Sequence, residues 1–235
     1  MKRISVTLLA AILVITAAFK ASAQTTQTRQ VSGFNAISAS ASFSVHVKID
    51  GTETVRVVAD DKIINEIETV VKDGTLRIGT KSSTTWFRNI GHVDVYVTAK
   101  SLSGLSNSGS GSIKVEGELH GDNVEIHESG SGSITCSAKS EKVHARISGS
   151  GSIDLNGSSN SAELVLSGSG GLKAKAFKVN DLTVKLSGSG SASVYADKTI
   201  SAHISGSGSL IYAGNASVTD IKTSGSGRVR KGSDI

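Results

Sequence analysis

The chain has 235 residues, 37% of them hydrophobic but only 4% aromatic, with 26 glycines, one cysteine and no proline. Its formal charge of +5 falls to +2 when Lys2, Arg3 and Lys20 of an N-terminal leader are set aside, a balance too even to argue for nucleic acid. The single cysteine, Cys136, excludes an intrachain disulfide and any Cys-paired zinc or redox site, so packing and backbone ladders must hold the fold.

Lys2 and Arg3 precede an apolar run from Ile4 to Phe19 and the small triplet Ala21-Ser22-Ala23. A charged start, a short apolar stretch and small residues before a cleavage point make a secretory signal peptide over residues 1–23. The run is shorter than the roughly 20 apolar residues of a membrane span, and no second run of that length follows. The expected product is an exported chain from Gln24 to Ile235 without a transmembrane segment.

Residues 24–107 read as an irregular β front end. Phe43, Val45, Val47 and Ile49 alternate with polar residues, as do Val55, Val57 and Ala59, then Leu76 and Ile78, then Val93, Val95 and Val97. Such alternation predicts strands with one buried face. Between them, Ile63, Ile64, Ile67, Val70 and Val71 predict two or three helical turns over Asp61–Lys72, with Asp60 or Asp61 as N-cap. Asp73-Gly74 predicts a turn into the next strand. Ser82–His92 interrupts the alternation and holds the chain's single tryptophan. Trp86, Phe87 and Arg88 are the residue types that binding surfaces favour, and they are the candidate ligand-binding residues. The alternative is that Trp86 and Phe87 cover the open end of the core.

From residue 108 to 235 the chain is a repeat. Ser-Gly-Ser-Gly begins at Ser108, Ser129, Ser148, Ser167, Ser187, Ser205 and Ser224, in steps of 21, 19, 19, 20, 18 and 19 residues. A period near 19 is the signature of a solenoid. Counted from each motif, one column holds Ile147, Leu166, Leu186 and Ile204, with Glu128 and Thr223 in the end repeats. Others hold Ile126, Ala145, Leu164, Val184, Ala202 and Ile221, or Ile113, Ile134, Ile153, Leu172, Ala192, Leu210 and Val229. These columns share one parity and face one side of their strands, so stacking makes aliphatic ladders inside a narrow core. The same parity points both glycines of each motif inward and the serines outward. Cys136 falls on the inward parity and reads as an inert core residue.

Phe34, Ile37, Phe43, Val45, Ile49 and Gly51, then Val93-Asp94-Val95-Tyr96-Val97 and Leu102, then the repeated Gly-Ser-Gly motifs, resemble the head-GIN-domain family of exported Bacteroidetes-type chains, labelled auto-transporter adhesins. The resemblance covers essentially the whole chain after the leader. It implies a right-handed parallel β-helix and brings no catalytic residues.

Two other groups need weighing. Glu116, Glu118, His120, Asp122, Glu125, His127 and Glu128 hold the ligand types a divalent metal accepts. They equally make a longer solvated turn in the coil with the 21-residue step, and that reading is adopted, with no metal site. Outward columns run His127, Arg146, Val165, Lys185, His203, Lys222 and, beside them, Glu125, His144, Glu163, Thr183, Ser201, Asp220. A polyanion stripe is the functional reading of this pattern and a solvated, internally paired face the structural one, which is preferred. No cofactor fingerprint or catalytic constellation is present, so the reading is a non-enzymatic envelope or surface protein that adheres to glycans or other polymers. A polysaccharide lyase or glycosidase on a β-helix is the alternative.

Overall fold

The structure, a computed structural model, describes residues 24–81 and 91–232. The signal peptide and the candidate residues Trp86, Phe87 and Arg88 lie outside the described residues. Sixteen strands form one continuous coiled sheet, a parallel β-solenoid with coils about 19 residues apart.

The regular body consists of β9 (Ser112–Gly130), β10 (Ser133–Gly149), β11 (Ser152–Gly168), β12 (Gly171–Gly188) and β13 (Ser191–Gly206). Each pairs in parallel with the next, and the aliphatic columns stack as their spacing requires: Ile134 on Ile153, Ile153 on Leu172, Ala145 on Leu164, Leu164 on Val184. Nearly all of these side chains are buried to within a few per cent. The two extra residues of the 21-residue step fall between Lys114 and Glu118, where β9 bulges against Thr135 and Ser137 of β10.

The corner explains the Ser-Gly-Ser-Gly motif and corrects one expectation. The second glycine, Gly151, is buried and faces inward. The first does not point into the core. Gly149 has φ +120°, and a Cβ placed there would lie 2.5 Å from the carbonyl oxygen of Gly130 in the preceding coil. That oxygen accepts two hydrogen bonds, from the amides of Ser150 at 2.8 Å and Gly151 at 2.9 Å. Glycine is needed because the chain must both enter left-handed backbone and lie against the coil below.

The front end departs further. β2 (Ala36–Ala41) and β3 (Ser44–Ile49) form a coil whose corner stacks on the first motif, Ser40 beside Ser108 and Ala41 beside Gly109. Ala41 takes φ 76° there, so Ser40-Ala41-Ser42-Phe43 is an unrecognised earlier copy of the motif. β6 (Thr75–Thr80) and β7 (Asp94–Ala99) then stack in front of that coil, while β8 (Gly104–Gly109) and β9 stack behind it. The chain therefore builds forward once before growing backward. β1 (Gln24–Arg29), β4 (Thr54–Asp60) and β5 (Ile67–Lys72) finish the front as antiparallel strands.

The helix expected over Asp61–Lys72 is absent. Asp60 caps a tight bend, its side chain accepting from the Lys62 amide at 2.9 Å, and a single 3-10 turn spans Ile64–Glu66. Ile67, Thr69 and Val71 then alternate inward along β5. The reason is the following Asp73-Gly74 pair, at φ 51° and 71°, which makes a two-residue hairpin and sets Lys72 opposite Thr75. Once the hairpin pairs β5 with β6, strand geometry overrides the helical spacing.

The back end is the last coil, β14 (Ser209–Ala213), β15 (Ser217–Ser224) and β16 (Arg228–Lys231).

Candidate functional site

Val45, Val47, Val55, Val57, Val95 and Val97 are all buried, so the residues between them must face solvent. The strand order β4–β7–β3–β9 then places Arg56 opposite Tyr96, Tyr96 opposite His46, and His46 opposite Lys114. The Arg56 guanidinium carbon stands 4.0 Å from the centre of the Tyr96 ring. On the other side the His46 ring stacks at 4.9 Å with the planes 19° apart. His46 is fixed by its Nε2, 3.2 Å from Asp94 Oδ1, and His92 Nε2 lies 3.2 Å from the same oxygen.

Between Arg56 on one neighbouring strand and His46 on the other, Tyr96 remains 38% exposed. A groove of about 430 Å³ runs across the stack and includes Lys48, Lys114 and Glu116. Lys48 is 3.8 Å from Asp50. Among the described residues no carboxylate stands within ion-pair distance of Arg56 or Lys114. An exposed aromatic among unmatched cations suits an anionic group, with the guanidinium donating a fork of N–H bonds. The segment holding Trp86, Phe87 and Arg88 joins β6 to β7, and His92 on its downstream flank is the residue tied to Asp94.

The repeat flanks differ. Lys185 Nζ lies 2.7 Å from Glu163, with His144 at 3.8 Å from the same carboxylate, and Lys222 and His203 both lie 2.9 Å from Asp220. The hydrogen bond from Lys185 holds the Glu163 carboxyl below its ordinary range, and the bond from His203 does the same for Asp220. Most charges in these columns match one another, while Arg146 has no carboxylate within ion-pair distance among the described residues.

The acidic and histidine cluster is divided. Glu125 and His127 pair outward at 3.2 Å, and Glu118 and His120 pair at 3.4 Å. Glu128 turns into the core at 1% exposure, in the column that carries Ile147 and Leu166 in later coils. Its Oε2 accepts from Asn107 Nδ2 at 2.8 Å and its Oε1 from the Gly132 amide at 3.1 Å, and burial pushes its pKa up. Among the described residues no three His, Cys, Asp or Glu side chains gather as metal ligands. Cys136 is buried and its thiol is pushed up to about 12 by desolvation, which fits a core residue.

Sequence reading missed the Arg56–Tyr96–His46 stack. Each residue carries the one available signal, an outward place in an alternating strand, but only the non-sequential strand order brings them together.

A search of curated proteins finds no match to the sequence. Among solved structures, an adhesin-labelled protein of Bacteroides fragilis is 26% identical with a TM-score of 0.83, over 89% of this chain and 97% of that one. A Parabacteroides distasonis protein titled a lipid-binding protein is 24% identical with a TM-score of 0.67, over 89% and 96%. An adhesin-labelled protein of Parabacteroides merdae is 22% identical with a TM-score of 0.68, over 89% and 96%. The last two share the fold. The family model described as "Putative auto-transporter adhesin, head GIN domain" matches residues 33–216, and the chain belongs to that family.

Proposed function

We propose that the protein is an exported, non-enzymatic adhesion protein of the cell envelope or surface. It holds anionic glycans or similar polymers on the face of Arg56, Tyr96 and His46, with Trp86, Phe87 and Arg88 as further contacts. The observation that carries this reading is the pair of unmatched cations, Arg56 and Lys114, beside the exposed aromatic Tyr96 on the front of the sheet. Cations set side by side on neighbouring strands can meet carboxylate or sulfate groups repeated along a polymer.

The carboxylates also favour a binder over a glycosidase. A catalytic acid needs a raised pKa within reach of the sugar. Among the described residues the carboxylate raised by its surroundings is Glu128, which is enclosed in the core. The partly exposed Glu163 and Asp220 are shifted the other way.

The test is a glycan array probed with the purified protein, with reducing ends assayed on every polymer retained. Carboxylated or sulfated glycans should be retained over neutral ones, with no new reducing ends. Retention of neutral glycans alone, or turnover lost on replacing one carboxylate, would overturn the reading.

A further inference from the structure

Arg56 and Lys114 occupy the same place along their strands, with β7 and β3 between them. Three strand steps set them about 14 Å apart along the solenoid axis. A polymer that meets both cations therefore lies across the strands, parallel to the axis, and its path continues onto the repeats.

The register defines that path. Lys114 stands beside Thr135, Thr135 beside Asp154, and Asp154 beside Lys173. Ser193, Ile211 and Arg230 complete the row. Arg56, Lys114, Lys173 and Arg230 thus recur at every third strand from the front of the solenoid to its back. All four are exposed, and among the described residues none has a carboxylate within ion-pair distance. The intervening Thr135, Ser193 and Ile211 keep these like charges apart without acidic partners. Asp154 is the one carboxylate in the row, and it would repel an anionic group held at its own rung. The charges of a ligand on this path must therefore be spaced.

We infer that this row is a track for a long acidic polysaccharide, laid parallel to the solenoid axis, whose carboxylate or sulfate groups are spaced rather than continuous. The inference rests on the anionic-polymer reading of the front face and adds the orientation, length and charge spacing of the ligand. Arg56 and Tyr96 hold one end, and Lys114, Lys173 and Arg230 meet anionic groups at intervals of about 14 Å. Each further contact is intramolecular once the first is made, so a long chain binds more tightly than a short one.

The test measures binding of sulfated dextrans by calorimetry at fixed salt. One is a fragment shorter than the interval between Arg56 and Lys114, and one a chain longer than the roughly 43 Å from Arg56 to Arg230. Lys173→Ala/Arg230→Ala should weaken the long chain about fivefold or more and leave the fragment unchanged. Arg146→Ala/Lys185→Ala removes the same charge from the columns before the corner and should leave both ligands unchanged. Asp154→Asn should shift preference toward a fully sulfated chain over a sparsely sulfated one of equal length. These side chains lie outside the core, so the variants should melt like the parent. If Lys173→Ala/Arg230→Ala binds the long chain as the parent does while Arg56→Ala/Tyr96→Ala has lost it, the ligand ends on the front sheet. The track is then overturned with the front site intact. Equal losses in Lys173→Ala/Arg230→Ala and Arg146→Ala/Lys185→Ala would also overturn it, by reducing the row to overall charge. An unchanged preference in Asp154→Asn would overturn the charge spacing. If Arg56→Ala/Tyr96→Ala binds as the parent does, the front-site reading falls and the track with it.

Discussion

The repeated coils and the front coils are made of the same strands and the same buried aliphatic columns, yet they use their outward side chains differently. In the repeats, Lys185 and His144 converge on Glu163, and His203 and Lys222 on Asp220. In the front, Arg56 leans on Tyr96 and Lys114 has no acidic partner among the described residues. The difference follows from geometry. Coils in register every 19 residues bring like columns within about 4.8 Å, so like charges in successive coils repel and acidic neighbours offset them, as at Lys185 and Lys222, while Arg146 stacks on Val165 instead. Where strands come from distant and antiparallel segments that constraint lapses, and unlike residues can be gathered. Regularity favours stacking, and the side chains proposed for recognition collect where the repeat breaks.

Three sets of substitutions sharpen this contrast. The largest effect is expected at the corner. Gly149→Val forces a branched residue into left-handed backbone against the Gly130 carbonyl, and should cost more than about 4 kcal/mol or prevent folding. Ser150→Ala, on an exposed neighbour, should stay within about 0.5 kcal/mol. Thermal melting of the two variants separates them, and equal losses would contradict the corner geometry.

Next comes position within the stack. Leu164 and Ile221 occupy the same column, but Leu164 is 1% exposed and Ile221 38%. Leu164→Ala should cost about 2–5 kcal/mol, as buried truncations do. Ile221→Ala should cost well under half of that because its side chain already meets water. Denaturant titrations read the difference directly, and a cost at Ile221 matching that at Leu164 would mean that the back end is covered in solution.

The smallest effect is a pH dependence at the junction of the two regions. Burial raises the Glu128 pKa in the folded state, so the folded protein holds that proton more tightly than the unfolded chain. Its contribution is therefore most favourable below the ordinary glutamate value of about 4.3, and is lost as pH rises from there through the raised folded value. Glu128→Gln removes the titrating group and should flatten this part of the stability profile, while its amide nitrogen replaces one of the two accepting oxygens and leaves the donor of Asn107 or of Gly132 without its partner at every pH. A parent profile with no decline over that window, or an unchanged slope in the variant, would show that Glu128 is not the titrating group.

How much could be read in the chain depended on whether a local rule controlled the outcome. The coil spacing, the inward columns and the turn at Asp73-Gly74 were legible because each follows from a fixed interval or from backbone chemistry within a few residues. The Asp61–Lys72 segment misled because Ile63, Ile64, Ile67, Val70 and Val71 satisfy helical spacing, while the pairing that decides against it belongs to the hairpin with β6. The Ala41 corner was hidden because alanine occupies a position the later coils give to glycine. The stack of His46, Arg56 and Tyr96 was out of reach because β3, β4 and β7 meet in an order the chain does not follow. The expectation for Trp86, Phe87 and Arg88 falls outside the described residues and rests on residue type and on its place between β6 and β7.

The most direct measurement compares binding of one sulfated polysaccharide to the parent protein, to Arg56→Ala/Tyr96→Ala and to Arg146→Ala/Lys185→Ala, by calorimetry at fixed salt. All the substituted side chains lie outside the core, so the three proteins should melt alike. If recognition belongs to the front sheet, the first variant loses at least about tenfold in affinity, about 1.4 kcal/mol, and the second binds nearly as the parent does. A loss in the repeat-face variant with none in the front-face variant would contradict the account and move the site to the repeated columns.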